Sequence, residues 1–476
     1  MKPPRSLAAL AVLALGACVA GPPPEIATPA PELPAGFLYA PNVDESAALA
    51  QLLPSDDPAF AELARRALAD SPSLAEALAR VDAARAAAKG AGAARLPAIG
   101  ANASVETRRS NPAQFGGDVS AALPFDTEQT AYAANLTASW EVDLFGRLKA
   151  SERAALARLD AADASAEAVR IALLAEIAGA LIDWRSNAGR EAALAQDLEA
   201  AGRLANLAGK REEAGLAPGF DRVRAEAAAS QSRSRLVALE SERAQIIGRL
   251  VALTAQDAAT LDSLLSADAG ATGLPPAPQA LPSLLLTARP DVRAAAAELA
   301  ASDAELAAAA RQRFPRLTLS GTLGLLAFDL GKLFDDQSQI YSASGGILAP
   351  LLDFGRIQAQ IDGAAAGKRA AFAAYRGAVF QALGEAESAY GLVAGADAQA
   401  AAAAQESMAL ERAAELAEVR FRAGLADFLT VLEARRAADA SGERAAAAAG
   451  RAKRARVLLW QALGGDAQPT SRSTTQ

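Results

Sequence analysis

Glu141–Ala150 reads EVDLFGRLKA, and Leu351–Gln360 reads LLDFGRIQAQ. Both stretches hold Phe-Gly-Arg between an alternating segment and a long run of helix formers. Phe145 recurs as Phe354, 209 residues on. A second pair lies at the same interval. REEAGLAPGFDRVRAEA from Arg211 and RFRAGLADFLTVLEARR from Arg420 set Gly215 opposite Gly424. Two motifs kept 70 residues apart in both halves identify an internal duplication. Upstream, AARLPAIGANASV resembles RQRFPRLTLSGTL, with Pro97 opposite Pro315. The interval there is 218, so one intervening loop differs by about 9 residues between copies.

Each copy reads helix, strand, strand, long helix, shorter helix. Strands are predicted over about 97–109, 130–144, 315–326 and 340–353. Ile99, Ala101, Ala103 and Val105 form one face, against Gly100, Asn102, Ser104 and Glu106 on the other. Tyr132, Ala134, Leu136, Ala138, Trp140 and Val142 alternate in the same way with polar neighbours. In the second copy Leu317, Leu319, Leu323 and Leu325 alternate with Arg316, Thr318, Ser320 and Thr322, while the fourth strand is weaker and rich in Ser and Gly. A period of two over about ten residues suits a strand with lipid on one face and water on the other. An ordinary half-buried strand gives the same signal.

Long helices are predicted over about 146–212 and 355–422. Both runs lack Pro and are rich in Ala, Leu, Arg and Glu. About 66 residues at 1.5 Å each make a rod of roughly 100 Å. Val169, Leu173, Ile177, Leu181 and Trp184 form one packed seam. The shorter helices of each copy add to about 62 residues, enough to lie end to end beside the long one. Gly146 and Gly355 permit a sharp turn from strand to helix, Phe145 and Phe354 suit an interfacial aromatic girdle, and Arg147 and Arg356 begin the helix in water. Gly215 and Gly424 read as helix C-caps, with Pro218 and Asp427 starting the next helix.

Composition narrows the chemistry. The 476 residues carry 47 Lys and Arg against 55 Asp and Glu, so no basic footprint for nucleic acid exists. There is no His, which excludes imidazole catalysis and His metal sites, and one Cys, which excludes an internal disulfide framework and Cys-rich zinc sites. No cofactor and no metal are expected. GAAAGKR, from Gly363 to Arg369, departs from the phosphate-loop pattern in spacing and lacks the Ser or Thr. The expected organisation is a signal peptide at 1–17, an extended segment at 18–57, the first copy at 58–255, a Pro- and Gly-containing connector at 256–288, the second copy at 289–465, and a disordered tail at 466–476.

The single Cys follows a positive start (Lys2, Arg5) and a short apolar run, Leu7–Leu15, too short to span a bilayer. Leu15–Cys18, LGAC, resembles a bacterial lipobox. That resemblance implies cleavage before Cys18 and acylation, palmitate included, of the new end, with several chains giving a stable anchor. Without a spanning helix, a membrane crossing requires a closed β-barrel.

The duplicated plan, the lipobox and the two Arg-x-x-x-Gly-Leu-Ala turns resemble the TolC-like outer membrane factor family. The nearest resemblance is to the NodT-type lipoprotein channels of resistance–nodulation–division efflux systems. It covers nearly the whole mature chain, and its most specific pieces are RFRAGLADFLTVLEARR and LLDFGR. It implies a mainly α chain with a membrane β-barrel: a homotrimer pooling strands into a 12-stranded barrel on a long α-helical barrel. Four strands cannot close alone, whereas twelve leave a lumen. It also implies an outer membrane location reaching into the periplasm, a periplasmic adaptor and an inner membrane transporter as partners, passive efflux, a contribution to antibiotic resistance, and no enzyme activity. By the same resemblance Leu429 and Glu433 narrow the tunnel, with Arg436 as an ion-pair partner. Glu433 and Arg436 can equally pair within one helix, without a gating role. Thr430 stands where some members carry a second carboxylate. Phe220 and Asp221 are the first-copy equivalents, and Arg211, Gly215, Arg420 and Gly424 face the adaptor. Two other readings stay open: the outer membrane duct of a type I protein secretion system, and a non-conducting periplasmic coiled-coil scaffold.

Overall fold

The structure, a computed structural model, describes residues 25–41, 49–109, 128–216, 218–267 and 274–465. Cys18, the expected signal peptide at 1–17 and the expected tail at 466–476 lie outside the described residues. The principal helices are α1 (Pro58–Asp70), α2 (Pro72–Ala93), α3 (Arg147–Glu213), α4 (Gly219–Thr254), α5 (Ala258–Leu265), α6 (Pro290–Ala310), α7 (Arg356–Arg422) and α8 (Phe428–Ala462). The strands are β1 (Ala98–Arg109), β2 (Glu128–Val142), β3 (Arg316–Ala327) and β4 (Gln339–Leu348). The duplicated helix-strand-strand-helix-helix order is therefore present, and the chain is mainly helical with one sheet. Helix α1 was not singled out by the sequence; Asp57 caps it, accepting from the Ala59 amide at 3.0 Å.

Two compact units emerge, and neither is a copy of the repeat. Among the described residues, one comprises those within 25–29, 82–160 and 297–373; the other comprises those within 30–81, 161–296 and 374–465. Both copies contribute to both units.

In the first unit the strands form one antiparallel sheet in the order β1-β2-β3-β4. The register aligns the expected faces. Ile99 opposes Ala138, Ala101 opposes Leu136, and Val105 opposes Tyr132; across the next pairing Leu136 opposes Leu323 and Trp140 opposes Leu319. Leu323 in turn meets Tyr341, and Leu317 meets Ile347. One face is thus apolar across all four strands. The other carries hydroxyls and amides. Ser320 and Ser344 hydroxyls bond at 2.7 Å, and the Thr318 hydroxyl donates to the Gly346 carbonyl at 3.3 Å. Strand β4 ends at Leu348, short of the expected 353. Pro350 has no amide to donate, and Asp353 is committed to capping the helix that follows.

Beneath the sheet, Leu306, Ala309, Ile357, Ile361 and Ala365 form a small core against Ile26. The Trp140 indole donates to the Arg95 carbonyl at 2.8 Å, and Arg95 pairs with Glu152 at 2.5 Å. Lys368 pairs with Asp303 at 2.6 Å, so the lysine of the phosphate-loop-like GAAAGKR holds two helices together.

The second unit has the larger core. Ile177, Leu181 and Trp184 of α3, Leu250 of α4, Tyr390 of α7 and Trp460 of α8 meet in one apolar cluster. Each sits on the core-facing stripe of its helix, as the spacing of the α3 seam dictates. Segments between helices are fastened to this core by buried polar side chains. Arg456 holds the Pro275 carbonyl at 2.6 Å and Asp397 at 2.7 Å. Arg289 holds the Ala462 carbonyl at 3.0 Å and Glu385 at 2.6 Å. The Tyr390 hydroxyl donates to the Pro278 carbonyl at 2.9 Å. A second cluster, with Leu204, Phe421, Phe428, Val431 and Leu432, packs where the long helices end.

Gly324 lies opposite Asn135, and a Cβ there would collide with the Asn135 side chain and the Ala134 backbone carbonyl. Gly324→Val is expected to cost about 1–3 kcal/mol of sheet stability. Amide exchange should accelerate along β2 and β3 while α8 stays protected.

Candidate functional site

The two strand-to-helix joints share a backbone device. Gly146 and Gly355 have φ of 76° and 86°, open to Gly and strained for other residues. Before each glycine an aspartate caps the helix. Asp143 accepts from the Leu148 and Lys149 amides at 3.1 and 2.8 Å; Asp353 accepts from the Gly355 and Ile357 amides at 3.1 and 2.8 Å. The sequence reading centred on Phe-Gly-Arg and missed these carboxylates. An Asp just before a helix start was the available signal.

The flanking side chains differ between copies. Phe145 stacks on Phe314 with ring centroids 4.7 Å apart, whereas Phe354 is 91% exposed and itself has φ of 51°. Arg147 pairs with Glu141 at 2.7 Å, and Arg356 is exposed. A residue other than Gly at φ above zero is costly, so the second joint carries local strain that the first lacks.

The Arg-x-x-x-Gly-Leu-Ala turns superimpose in their bonding. The Gly215 amide donates to the Glu212 carbonyl at 2.9 Å and the Leu216 amide to the Arg211 carbonyl at 2.8 Å. The Gly424 amide donates to the Phe421 carbonyl at 3.0 Å and the Leu425 amide to the Arg420 carbonyl at 2.8 Å. Gly215 and Gly424 have φ of 68° and 76°. This is the Schellman arrangement, which satisfies carbonyls the helix leaves open. Helix α8 then starts on Asp427, whose carboxylate accepts from the Thr430 amide at 2.8 Å and the Thr430 hydroxyl at 2.5 Å. Those two bonds hold the Asp427 carboxyl below the usual carboxylate range.

The singled-out residues divide by surroundings. Leu429 is half-buried, while Thr430, Glu433 and Arg436 are exposed. Arg436 does not pair with Glu433. Its guanidinium donates to Gln231 of α4 at 3.1 Å, joining the two helical hairpins. Thr430, in the place of a second carboxylate, serves the Asp427 cap. Phe220 is exposed with Arg224 stacked over its ring at 5.3 Å, and Asp221 lies in the first turn of α4. Arg211 reaches across to the Phe421 ring at 4.8 Å, so it braces the two turns, while Arg420 is exposed. Among the described residues no group of three or more acidic or sulfur side chains is placed to hold a metal ion. No described helix is long and apolar enough to cross a membrane.

The amphipathic four-stranded sheet and the duplicated capped turns have counterparts. The outer membrane efflux protein family matches residues 63–256 and 281–465. This chain belongs to that family. It is 30% identical over 416 residues to the pyoverdine export outer membrane protein OpmQ of Pseudomonas aeruginosa, covering 86% of this chain and 85% of the relative. It is 27% identical to nodulation protein T of Rhizobium leguminosarum bv. viciae, covering 98% and 94%. The solved outer-membrane channel OprN superimposes with a TM-score of 0.84 at 28% identity, covering 93% of this chain and 98% of that one. The family consists of outer membrane efflux channels, which are not enzymes.

Gly424→Ala is expected to destabilise the second turn by about 1–2 kcal/mol, because its φ becomes strained. Asp427→Ala should speed amide exchange in the first turn of α8 by releasing the Thr430 amide. Acidification through the lowered Asp427 value, itself below the ordinary aspartate range, should do the same to the parent protein, since a depressed carboxyl stabilises only while ionised. Unchanged exchange at Thr430 in the variant would remove the cap from the account.

Proposed function

We propose that three copies of this chain form the outer membrane exit duct of a tripartite efflux system. It conducts small molecules passively, from an inner membrane transporter and a periplasmic adaptor to the exterior. The observation that carries this reading is the sheet. It has one apolar face, one hydroxyl-rich face, and outer edges on β1 and β4 that pair with no described strand. An apolar face suits lipid, a polar face suits a water-filled bore, and open edges are not tolerated in hydrocarbon. Pairing β4 of one copy with β1 of the next removes the edges and gives twelve strands around a lumen. The names of relatives that export pyoverdine or toluene support small molecules as cargo.

In this reading the helices line the periplasmic part of the duct, and the glycine turns lie at its periplasmic mouth. Leu429, Glu433 and Arg436 with Phe220 and Asp221 narrow that end. Arg436 holds it through Gln231, not through Glu433. Gly215, Gly424 and the exposed Arg420 present the adaptor-facing surface, with Arg211 bracing it from behind. Phe354, almost wholly exposed, suits the membrane interface. Acylated Cys18 anchors the mature end in the outer membrane.

The purified protein is expected to sediment as a trimer and to give discrete conductance steps in planar bilayers. Glu433→Ala or Arg436→Ala should raise the open fraction several-fold. A monomer that leaves the bilayer silent would overturn the duct. Separately, Cys18→Ser should abolish incorporation of labelled palmitate in cells; a variant still labelled would place the acyl group elsewhere.

A further inference from the structure

The second unit carries a polar level between its two apolar clusters. On α3 the large cluster holds Ile177, Leu181 and Trp184 and the small one Leu204 and Ala208, with Asp197 between. On α8 the order is reversed, and Asp439 lies between Leu432 and Ala455. Both carboxyls are away from water: Asp197 is 6% exposed, and the Asp439 side chain 13%.

Every charged neighbour of the pair can be assigned. From α3 and α4, Arg190 holds Glu242 at 2.6 Å and Glu443 at 3.0 Å, and Arg235 lies 3.5 Å from Glu443. From α7, Glu411 takes Arg435 of α8 at 2.8 Å, and Arg412 and Glu415 pair with each other at 3.0 Å. Arg435 comes within 3.4 Å of Asp439 only through its Nε, which makes no hydrogen bond. No cation pairs directly with Asp197, on which Arg435 acts only as a nearby charge. Its Oδ2 and the Oδ1 of Asp439 are buried and without a partner while both groups are ionised.

Two adjacent buried carboxylates cannot both be ionised without a large penalty, and one proton removes it. With that proton on Asp197, its hydroxyl donates to Asp439 and both orphaned oxygens are satisfied. Burial first, and then this hydrogen bond to Asp439, push the Asp197 carboxyl up to about 8. Asp439 is also raised, again chiefly by burial. The bond crosses from the α3–α4 hairpin to the α7–α8 hairpin. A raised carboxyl stabilises the contact fully under acid conditions, and the contribution is lost as pH rises through that value.

We propose that Asp197 and Asp439 share one proton that latches the α7–α8 hairpin to the α3–α4 hairpin, and that loss of the proton frees the end of the second hairpin. As a step in opening, this rests on the exit-duct reading. As a latch between hairpins, it does not. The proton leaves to bulk water along the open groove lined by Asp197, Glu411, Arg412, Arg435 and Asp439.

The test uses the full-length protein with spin labels at Ala227 and Ala423, one on each hairpin, titrated from about pH 6 to about pH 9.5, above the raised carboxyl and below most lysines. The inter-label distance should lengthen with a single midpoint in the mildly alkaline range. Asp197→Asn keeps the shape and supplies an amide donor, so it should hold the short distance throughout, with the pH dependence lost. Asp439→Asn should do the same. A parent distance that ignores pH, or an Asp197→Asn protein that titrates like the parent, overturns the latch. Bilayer conductance of the same samples tests the other claim. Distances that titrate in a protein that never conducts uphold the latch and sink the duct. Conduction in a protein whose distances never titrate sinks the latch and upholds the duct.

Discussion

A strand at the edge of a sheet exposes a row of amides and carbonyls that must find partners. In this chain the constraint falls on β1 and β4, which close neither on each other nor on any other described strand. Water can satisfy such edges; hydrocarbon cannot. The apolar face running from Ile99 through Leu136 and Leu323 to Tyr341 makes water an unfavourable neighbour for the sheet as a whole. The same four strands therefore demand lipid on one face and more strand at each side. The proposed symmetric association answers both demands at once.

Elsewhere the fold solves the polar backbone problem internally. Segments joining the helices run close against the core of the second unit, where their carbonyls lose water. Arg456, Arg289 and Arg185 supply donors there, and each also takes a carboxylate: Asp397, Glu385 and Asp57. Arginine suits the task because its planar group donates in several directions while remaining charged. Such pairs add little net stability, since taking the guanidinium out of water offsets much of the attraction.

Duplication preserved backbone solutions more faithfully than side-chain environments. Both joints use an aspartate cap and a glycine at positive φ, and both distal turns use the same two hydrogen bonds. Around these, the copies diverged. Phe145 found Phe314, while Phe354 stayed exposed; Pro218 begins one returning helix, and Asp427 the other. Backbone geometry tolerates few residue types, whereas a side chain's surroundings depend on whatever packs against it.

That distinction also divides what could be read in advance. The duplication, the strand faces, the long helices and the glycine turns were legible because each is a periodic or local pattern, set by residues near in sequence. Family resemblance rested on the same local motifs. The sequence could not reveal that each copy would be shared between two compact units, that Arg436 would choose Gln231 over Glu433, or that Asp197 and Asp439, 242 residues apart, would meet with a buried oxygen on each left without a hydrogen-bond partner. Those outcomes depend on which helix faces meet. Only the tertiary packing of α3, α4, α7 and α8 brings distant charges into contact and removes the water that would otherwise keep them apart.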